Sequence, residues 1–214
     1  LDGHCPAGTL ELRSLFCVSP EFCRVKGYKI HGSSCLAECP TDTNEDPNDR
    51  SRCVACREDV CQRTDRGNRV ILYAGDFPPE HYTDVVGNVV LNLEGMPAIQ
   101  INKQIDKFDH LRNLTGYLKI YRSERIQDLK AFSALQEVGA DGCELSNGFC
   151  LIIHSNEFLQ RLWTPKTGEL RIVKGNVSIA HNPRLCQLEI DRFRTTLKLL
   201  GPNARVFVEG NGER

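Results

Sequence analysis

Cysteine is the residue type whose spacing carries most of the possible chemistry in this 214-residue sequence. Eight of the eleven cysteines lie within residues 1–61, and the other three are Cys143, Cys150 and Cys186. Such crowding is typical of a disulfide framework in an oxidising compartment or of a metal cluster. Zinc is less favoured, because the C-x2-C pair at 53–56 has no second such pair at the usual distance. We therefore expect disulfides, with an odd cysteine left over.

Histidines and carboxylates are the other residues that could bind a metal or act as acid–base catalysts. The histidines are His4, His31, His81, His110, His154 and His181. His154 and His181 lie beside predicted turns, and the acids of 106–110, Glu124 and Asp128 form no repeat-aligned pair. We therefore expect solvated charge, with no metal site, no catalytic residue and no bound cofactor. The sequence also has no glycine-rich phosphate loop.

Two sequons and the charge balance bear on the compartment and on the partners. Asn113-Leu-Thr115 and Asn176-Val-Ser178 are predicted N-glycosylation sites, which fit a secreted chain. The net charge is −1, from 27 basic and 28 acidic residues, and this balance argues against a nucleic-acid partner. No apolar run approaches the roughly 18 residues of a membrane helix, so we expect no membrane contact.

Residues 1–61 differ in composition from the residues that follow. The first region has few apolar residues and many turn formers, so it cannot bury enough apolar surface to offset its chain entropy. Cross-links would supply the missing stabilisation. From residue 62 onward, apolar and polar residues alternate in short runs between turn signals, as they do in half-buried strands. The predicted strands lie within residues 87–95, 115–123, 150–156, 175–182 and 204–210.

A repeated pattern follows three of these strands. Segments 122–129, 155–162 and 181–188 superimpose without gaps. Their shared positions are a polar turn residue (Ser123, Asn156, Asn182) and two apolar anchors (Ile126, Leu159, Leu185, then Leu129, Leu162, Leu188). The polar side chains can satisfy backbone groups at the turn, while the anchors are expected to point inward. The strand residues Leu118, Ile152, Ile179 and Val208 are 34, 27 and 29 residues apart. Such intervals predict a short right-handed β-helix-like solenoid rather than unrelated strand–helix units.

Two segments of the predicted solenoid have helical character. Apolar residues keep helical spacing over 125–139, and Gly139 suits the end of a helix. Residues 191–201 have the pattern of an amphipathic helix that covers the last coil. Trp163, the sole tryptophan, is expected to be mostly buried.

Several motifs together resemble the extracellular region of the insulin and insulin-like growth factor receptor family. They are CLAECP (35–40), CVAC (53–56), LTGYLKIYRS (114–123), NEFLQRLW (156–163) and GNVSIAHNPRLC (175–186). The resemblance implies a mainly β fold, in which a disulfide-stapled module precedes a right-handed β-helix-like, leucine-rich-repeat-like L domain with short helices. Residues 1–65 would be the C-terminal part of the furin-like cysteine-rich region, and residues 66–214 an L domain of the second type.

The same resemblance implies how the cysteines pair. The family order predicts bridges Cys5–Cys35, Cys17–Cys23, Cys39–Cys53 and Cys56–Cys61, and a local bridge Cys143–Cys150 looks like an addition in this chain. Two cysteines usual in the family, before the L domain and near its first strand, are absent, which indicates a divergent member. Cys186 stays unpaired here, because its family partner lies further along. Both ends therefore look cut, and we expect a segment of a larger receptor.

The function that the resemblance implies is non-catalytic. The parent would be a single-pass plasma-membrane receptor that binds an insulin-like peptide hormone through its full ectodomain, associates with a second protomer and signals through a cytoplasmic tyrosine kinase. In the family the main hormone surface lies on the first L domain and a separate helical segment, so no ligand-binding residue is assigned here. Two alternatives stay open, namely a secreted decoy receptor that sequesters the hormone and, more distantly, a carbohydrate-active β-helix enzyme.

Overall fold

The chain forms two compact units, residues 1–62 and residues 63–214. The computed structural model describes residues 5–13, 15–40, 43–46, 48–56, 61, 64–72, 74–78 and 81–212, so His4 lies outside the described residues. The division falls three residues before the predicted boundary at 65. Each unit is described by itself below.

The first unit is built from short strands and one short helix. Its elements are β1 (Leu10–Leu12), β2 (Phe16–Val18), α1 (Pro20–Val25), β3 (Lys29–His31), β4 (Ser34–Leu36), β5 (Thr43–Glu45) and β6 (Cys53–Ala55). Strands β2, β1, β4 and β3 form one sheet in that order, and β5 pairs with β6 in a hairpin. Helix α1 begins where the Ser19 side chain accepts a hydrogen bond from the Phe22 N–H and Pro20 fixes the first turn.

Disulfides provide much of the stability that an apolar core would otherwise provide in this unit. Its buried cluster consists of Leu10, Cys23 and Cys35, with partly buried residues around it. So small an apolar core cannot offset the chain entropy of about 60 residues, whereas each cross-link contributes typically 2–4 kcal/mol. The structure contains five disulfides, Cys5–Cys17, Cys23–Cys35, Cys39–Cys53, Cys56–Cys61 and Cys143–Cys150.

The pairing of the first four cysteines differs from the predicted one. The structure joins Cys5 to Cys17 and Cys23 to Cys35, with Cα–Cα distances of 5.5 and 5.9 Å, instead of Cys5–Cys35 and Cys17–Cys23. The reason is the position of α1, which places the buried Cys23 against Cys35 on β4. Cys17 lies on β2, which β1 separates from β4. The other three pairs are the same as those predicted.

The second unit is a solenoid in which each coil contributes one strand to each of two parallel sheets. The first sheet consists of β7 (Thr64–Arg66), β9 (Asp84–Val86), β11 (Asn113–Leu114), β13 (Glu137–Val138), β15 (Leu170–Ile172) and β17 (Leu197–Leu199). The second sheet consists of β8 (Arg69–Ile71), β10 (Val89–Leu91), β12 (Leu118–Tyr121), β14 (Phe149–His154), β16 (Asn176–Ala180) and β18 (Val206–Glu209). The predicted mainly β solenoid is thereby confirmed.

Helices occupy little of the solenoid. The α-helices are α2 (Ala98–Gln104) and α3 (Gln187–Thr196), and short 3-10 helices span Ala74–Asp76, Ile105–Phe108, Lys130–Phe132 and Glu144–Ser146. The predicted helix over 125–139 is wrong, because this segment forms only the 3-10 turn at Lys130–Phe132 and then enters β13. The helix predicted over 191–201 begins earlier and ends at Thr196, where β17 starts. None of the helices in the described ranges has the length and apolar character needed to cross a bilayer.

The register of the second sheet decides which side chains enter the core. Leu118 pairs with Leu151, and Leu151 pairs with Val177, and all three are fully buried. Ile152 instead pairs with Lys119 and Ser178 on the opposite face. The 34-residue interval from Leu118 to Ile152 is therefore one residue too long. A slip of one residue exchanges the two faces of a strand, so a sequence interval alone could not fix the register.

An aromatic stack runs through the interior of the solenoid. Successive ring contacts join Phe77, Phe108, Phe132, Trp163 and Phe193, with centroid distances of 4.7–6.1 Å. All five side chains are buried. Trp163 is therefore a core residue, as its sequence context predicts.

The repeated polar position forms a buried ladder at the end of the second-sheet strands. The Ser123 N–H donates to Asn156 Oδ1 (3.1 Å), the Asn156 N–H to Asn182 Oδ1 (3.0 Å), and the Asn182 N–H to Asn211 Oδ1 (3.1 Å). Ser123, Asn156 and Asn182 are fully buried. Each side chain thus satisfies a backbone group of the preceding coil, which water cannot reach. Asn211 is a fourth residue of the ladder, and the sequence pattern did not include it.

The residue before each ladder position has left-handed backbone geometry. Arg122, Ser155 and His181 have φ values of 49°, 54° and 56°, and Gly210 follows the same pattern at 61°. Non-glycine residues enter this region at a cost, and yet the same sharp corner recurs at the ends of β12, β14, β16 and β18. Beyond the corner, the predicted anchors are buried, with the exception of Leu188. Leu188 lies on α3 and is 59% exposed, because the helix begins one residue earlier and turns Ile190 inward instead.

The disulfide pairing can be tested by peptide mapping under non-reducing conditions. Cleavage after Arg13, Glu21 and Arg24 separates Cys5, Cys17 and Cys23 onto different peptides. We expect the peptide with Cys17 to be joined to the one with Cys5, and the peptide with Cys23 to the one with Cys35. A peptide that joins Cys17 to Cys23 would contradict the pairing in the structure.

The Asn ladder predicts a large effect of one substitution on stability. Asn156→Ala would leave the Ser123 N–H and the Ile120 carbonyl without their side-chain partner. We expect the free energy of unfolding to fall by about 2–4 kcal/mol, since each unsatisfied buried group costs about 1–3 kcal/mol. Urea unfolding followed by circular dichroism measures it. The exposed Asn203→Ala is the matched control, and equal effects of the two variants would show that the ladder does not stabilise the solenoid.

Candidate functional site

The outer face of the second sheet is the side of its six strands that points away from the core. In each strand the alternate side chains point away from the core, and the register aligns them across all six strands. One aligned row consists of Val70, Val90, Lys119, Ile152, Ser178 and Phe207. A second row consists of Tyr121, His154, Ala180 and Glu209. We call these two rows the outer face.

The centre of the outer face is polar and closely packed. The Lys119 ammonium lies 4.4 Å from the centre of the Tyr121 ring, a cation–π distance. His154 Nε2 lies 2.7 Å from Ser178 Oγ. Burial of the imidazole, followed by the charges of His181 and Lys119, lowers the pKa of His154 below its ordinary value. The ring is therefore mainly neutral at pH 7 and suits a hydrogen bond with a hydroxyl.

The two ends of the outer face are apolar and exposed. Phe207 is 46% exposed at the β18 edge and contacts the Phe149 ring edge-on at 5.5 Å between centroids. Val70 is 50% exposed at the β8 edge. A sheet face with a polar centre and exposed aromatic or aliphatic edges resembles a protein-binding surface more than a cleft for a small substrate.

Cys186 is another potentially reactive side chain, and it lies in the segment between β16 and α3. All eleven cysteines fall in the described residues, and Cys186 is the one that has a free thiol. It is half-buried, precedes α3 and forms a bridge-type backbone pair with Gly212. Arg184, Glu189 and Gly212 line the same surface depression. The thiol thus lies in the segment between β16 and α3, beside the segment that follows β18.

Both predicted glycosylation sites lie at corners of the solenoid. Asn113 begins β11, and its Nδ2 donates to Asp84 Oδ1 (2.6 Å). Asn176 begins β16, and its Oδ1 accepts a hydrogen bond from the Arg205 N–H (2.9 Å). The two side chains are half-buried. An N-linked sugar leaves one hydrogen on the amide nitrogen, so these contacts are compatible with a glycan.

Three residues that the sequence analysis did not bring together lie side by side in the structure. His81 and His110 flank Asp109, and their ligand atoms lie within 4.8 Å of one another. His81 Nδ1 lies 2.9 Å and His110 Nε2 lies 3.4 Å from Asp109 Oδ1. The available signal was the 29-residue interval between the two histidines, which matches the interval between Asp84 and Asn113 on paired strands.

Comparison with known proteins bears on the solenoid first. A family model described as receptor L domain matches residues 83–197, more than half of the chain. The chain belongs to the receptor L domain family. The matched residues include β9 to α3, together with the buried Asn ladder up to Asn182. The remaining comparisons are with receptors that are longer than this chain.

Several curated relatives are similar to this receptor L domain chain over most of its length. The insulin receptor-related protein of Homo sapiens is 28% identical over 98% of the chain. The insulin-like peptide receptor of Branchiostoma lanceolatum and the insulin receptor of Xenopus laevis are each 24% identical, over 86% and 88% of the chain. These relatives confirm the resemblance stated from the motifs. The chain spans only 13–17% of the length of these relatives.

The sequons give a prediction for protein from a eukaryotic secretory host. We expect at least one of Asn113 and Asn176 to carry an N-glycan, because both lie at the start of a strand and neither is fully buried. The intact mass should fall after glycosidase treatment, and Asn113→Gln and Asn176→Gln would assign the occupied site. Asn203→Gln, an exposed asparagine outside any sequon, is the control. A mass unchanged by the glycosidase would contradict the prediction.

Proposed function

We propose that this chain is a non-catalytic extracellular segment of an insulin-like peptide receptor. The observation that carries the proposal is the similarity to insulin-family receptors across 86–98% of the chain, which includes both of its units. A short match to the L domain alone would not distinguish this branch from other receptors. On this proposal, hormone binding and a cytoplasmic tyrosine kinase are properties of the longer parent.

The first unit is proposed to be the C-terminal part of a furin-like cysteine-rich region, and the second unit an L domain of the second type. Four of the disulfides lie in the first unit, where strands are three residues long and the apolar core is small. Such dense cross-linking is typical of extracellular modules and is rare in reducing compartments. It therefore supports an extracellular location, as an ectodomain or as a secreted protein.

The role proposed for the solenoid is to set the spacing of receptor arms and to dock other receptor domains. Its continuous core, aromatic stack and Asn ladder link every coil to the next, which suits a stiff spacer. The outer face offers an exposed aromatic edge at Phe207 and the half-buried His154 at its centre, where the imidazole contacts the buried Ser178. Its proposed partners are other domains of the same receptor and a second protomer, and the hormone only through the full ectodomain.

Hormone affinity of the isolated chain tests this proposal. Interfaces concentrate their free energy in a few anchors, and association costs several kcal/mol of lost freedom. Because the principal hormone-binding elements are expected on other parts of the receptor, we predict a Kd no tighter than about 1 μM, or roughly −8 kcal/mol. Titration of a labelled insulin-like peptide into the folded chain, followed by fluorescence anisotropy, measures it.

A matched titration separates a weak site from an inactive preparation. A longer ectodomain piece, which adds the preceding L domain and the hormone-binding helical segment, should bind the same peptide orders of magnitude more tightly. Nanomolar binding by residues 1–214 alone would overturn the spacer role. Failure of the longer piece to bind would contradict membership of an insulin-like peptide receptor.

A further inference from the structure

We propose that His81, Asp109 and His110 form a binding site for a divalent transition-metal ion, with Zn²⁺ as the reference ion. The three side chains belong to two consecutive coils of the solenoid. Two imidazole nitrogens and one carboxylate oxygen within 4.8 Å of one another are a ligand set that Zn²⁺ uses in proteins. The site shares no cysteine with the disulfides and does not depend on the hormone-receptor proposal.

The stacking of the coils brings the two histidines together. Asp84 on β9 is paired with Asn113 on β11, and His81 and His110 each lie three residues before these positions. Equivalent positions of neighbouring coils are separated by the strand spacing of about 4.8 Å. The two imidazole rings accordingly lie 5.0 Å apart between centroids. Asp109, one residue before His110, then lies between them.

The interatomic distances suit coordination by one ion. Two ligands at about 2.0–2.1 Å from a tetrahedral zinc lie about 3.3–3.4 Å from each other. Asp109 Oδ1 is 2.9 Å from His81 Nδ1 and 3.4 Å from His110 Nε2. Small side-chain rotations would therefore place all three donors around one ion. A bound ion would take the place of the hydrogen bond between His81 and Asp109 in the metal-free chain.

Backbone hydrogen bonds and buried rings hold the cluster in place. The Arg112 N–H donates to the Thr83 carbonyl (2.7 Å), which joins the two coils two residues beyond the histidines. The Asp109 N–H donates to the Asp106 carbonyl (3.0 Å) at the end of the 3-10 helix. Phe108, immediately before Asp109, is buried in the aromatic stack. The ligand positions therefore exist before a metal binds.

The ligand chemistry selects the class of ion. Imidazole suits zinc, copper, iron and nickel, whereas calcium and magnesium prefer sites made of oxygen ligands. A tetrahedral ion held by three protein ligands keeps a fourth position for water or for a donor from another molecule. His81 is exposed and the other two are half-exposed, so an ion can enter from solvent without unfolding the coil.

Zinc titration of the complete chain tests the site. We expect one equivalent of Zn²⁺ to bind in competition with a chromophoric chelator, and Ca²⁺ at the same concentration not to compete. His81→Gln and His110→Gln should each weaken binding by about tenfold or more, since even residues outside the first coordination shell change metal affinity by about 10–100-fold. Asp109→Asn should also weaken it. Circular dichroism verifies that each variant is folded.

Two control variants test side chains outside the cluster that could also bind zinc. His31→Gln, on β3 in the first unit, and Cys186→Ser, which removes the free thiol, should retain the full affinity. In the unmodified protein, Zn²⁺ should shift the ring-proton NMR signals of His81 and His110 and leave those of His31 unshifted. Absence of binding, unchanged affinity in either histidine variant of the cluster, loss of binding in Cys186→Ser, or displacement by Ca²⁺ would each overturn the proposal.

Discussion

The coils whose second-sheet strands are β12, β14, β16 and β18 each depend on one corner, where the chain turns at the end of that strand beside a ladder residue. The residue at the corner takes a left-handed conformation, and the next residue places an amide or hydroxyl oxygen under the backbone N–H of the preceding coil. Without that oxygen a buried donor would be left unsatisfied at each turn. The polar ladder therefore sets where each coil ends, and the parallel register, the apolar anchors and the aromatic stack follow from that position.

The coil that follows Asn182 differs from the preceding coils in the segment after its ladder residue. Asn182 still occupies the repeated position, but α3 follows directly and replaces the second anchor, so Leu188 turns outward and Ile190 packs inside. Cys186 precedes that helix and has a free thiol. The departure begins after the ladder residue and not before it. The corner is therefore the part of the repeat that tolerates least change, while the segment after it can be helical or extended.

The sequence could predict the features that repeat and those that follow from composition. The Asn and Leu residues within 156–162 and 181–185 have roles at the turn that can be predicted from each segment by itself. The first 61 residues are too polar to fold without cross-links. The resemblance to insulin receptors was also visible in short motifs. The helical spacing at 126–135 was misleading, because inward anchors three residues apart suit a solenoid edge as well as a helix. Here the tertiary contacts outweighed local propensity.

Features that depend on how segments lie against each other were not available from the residues alone. The pairing of Cys23 with Cys35 follows from the side of the sheet on which α1 lies, which family order did not reveal. The face of Ile152 depended on a single-residue register. The same reason explains why the sequence alone does not place His81 beside His110.

The histidine cluster illustrates what a parallel solenoid does with isolated polar residues. Positions 81 and 110 have no local relation, yet the β9–β11 register places them one strand spacing apart. The hydrogen bond from the Arg112 N–H to the Thr83 carbonyl, two residues beyond the histidines, joins the two segments and holds their backbones at this separation. A pair of like residues one coil apart is thus a potential site in this fold, whereas the same pair in an irregular loop would have no fixed distance. For that reason, polar residues of this domain should be compared by whether their separation in sequence equals the interval between paired strands of neighbouring coils.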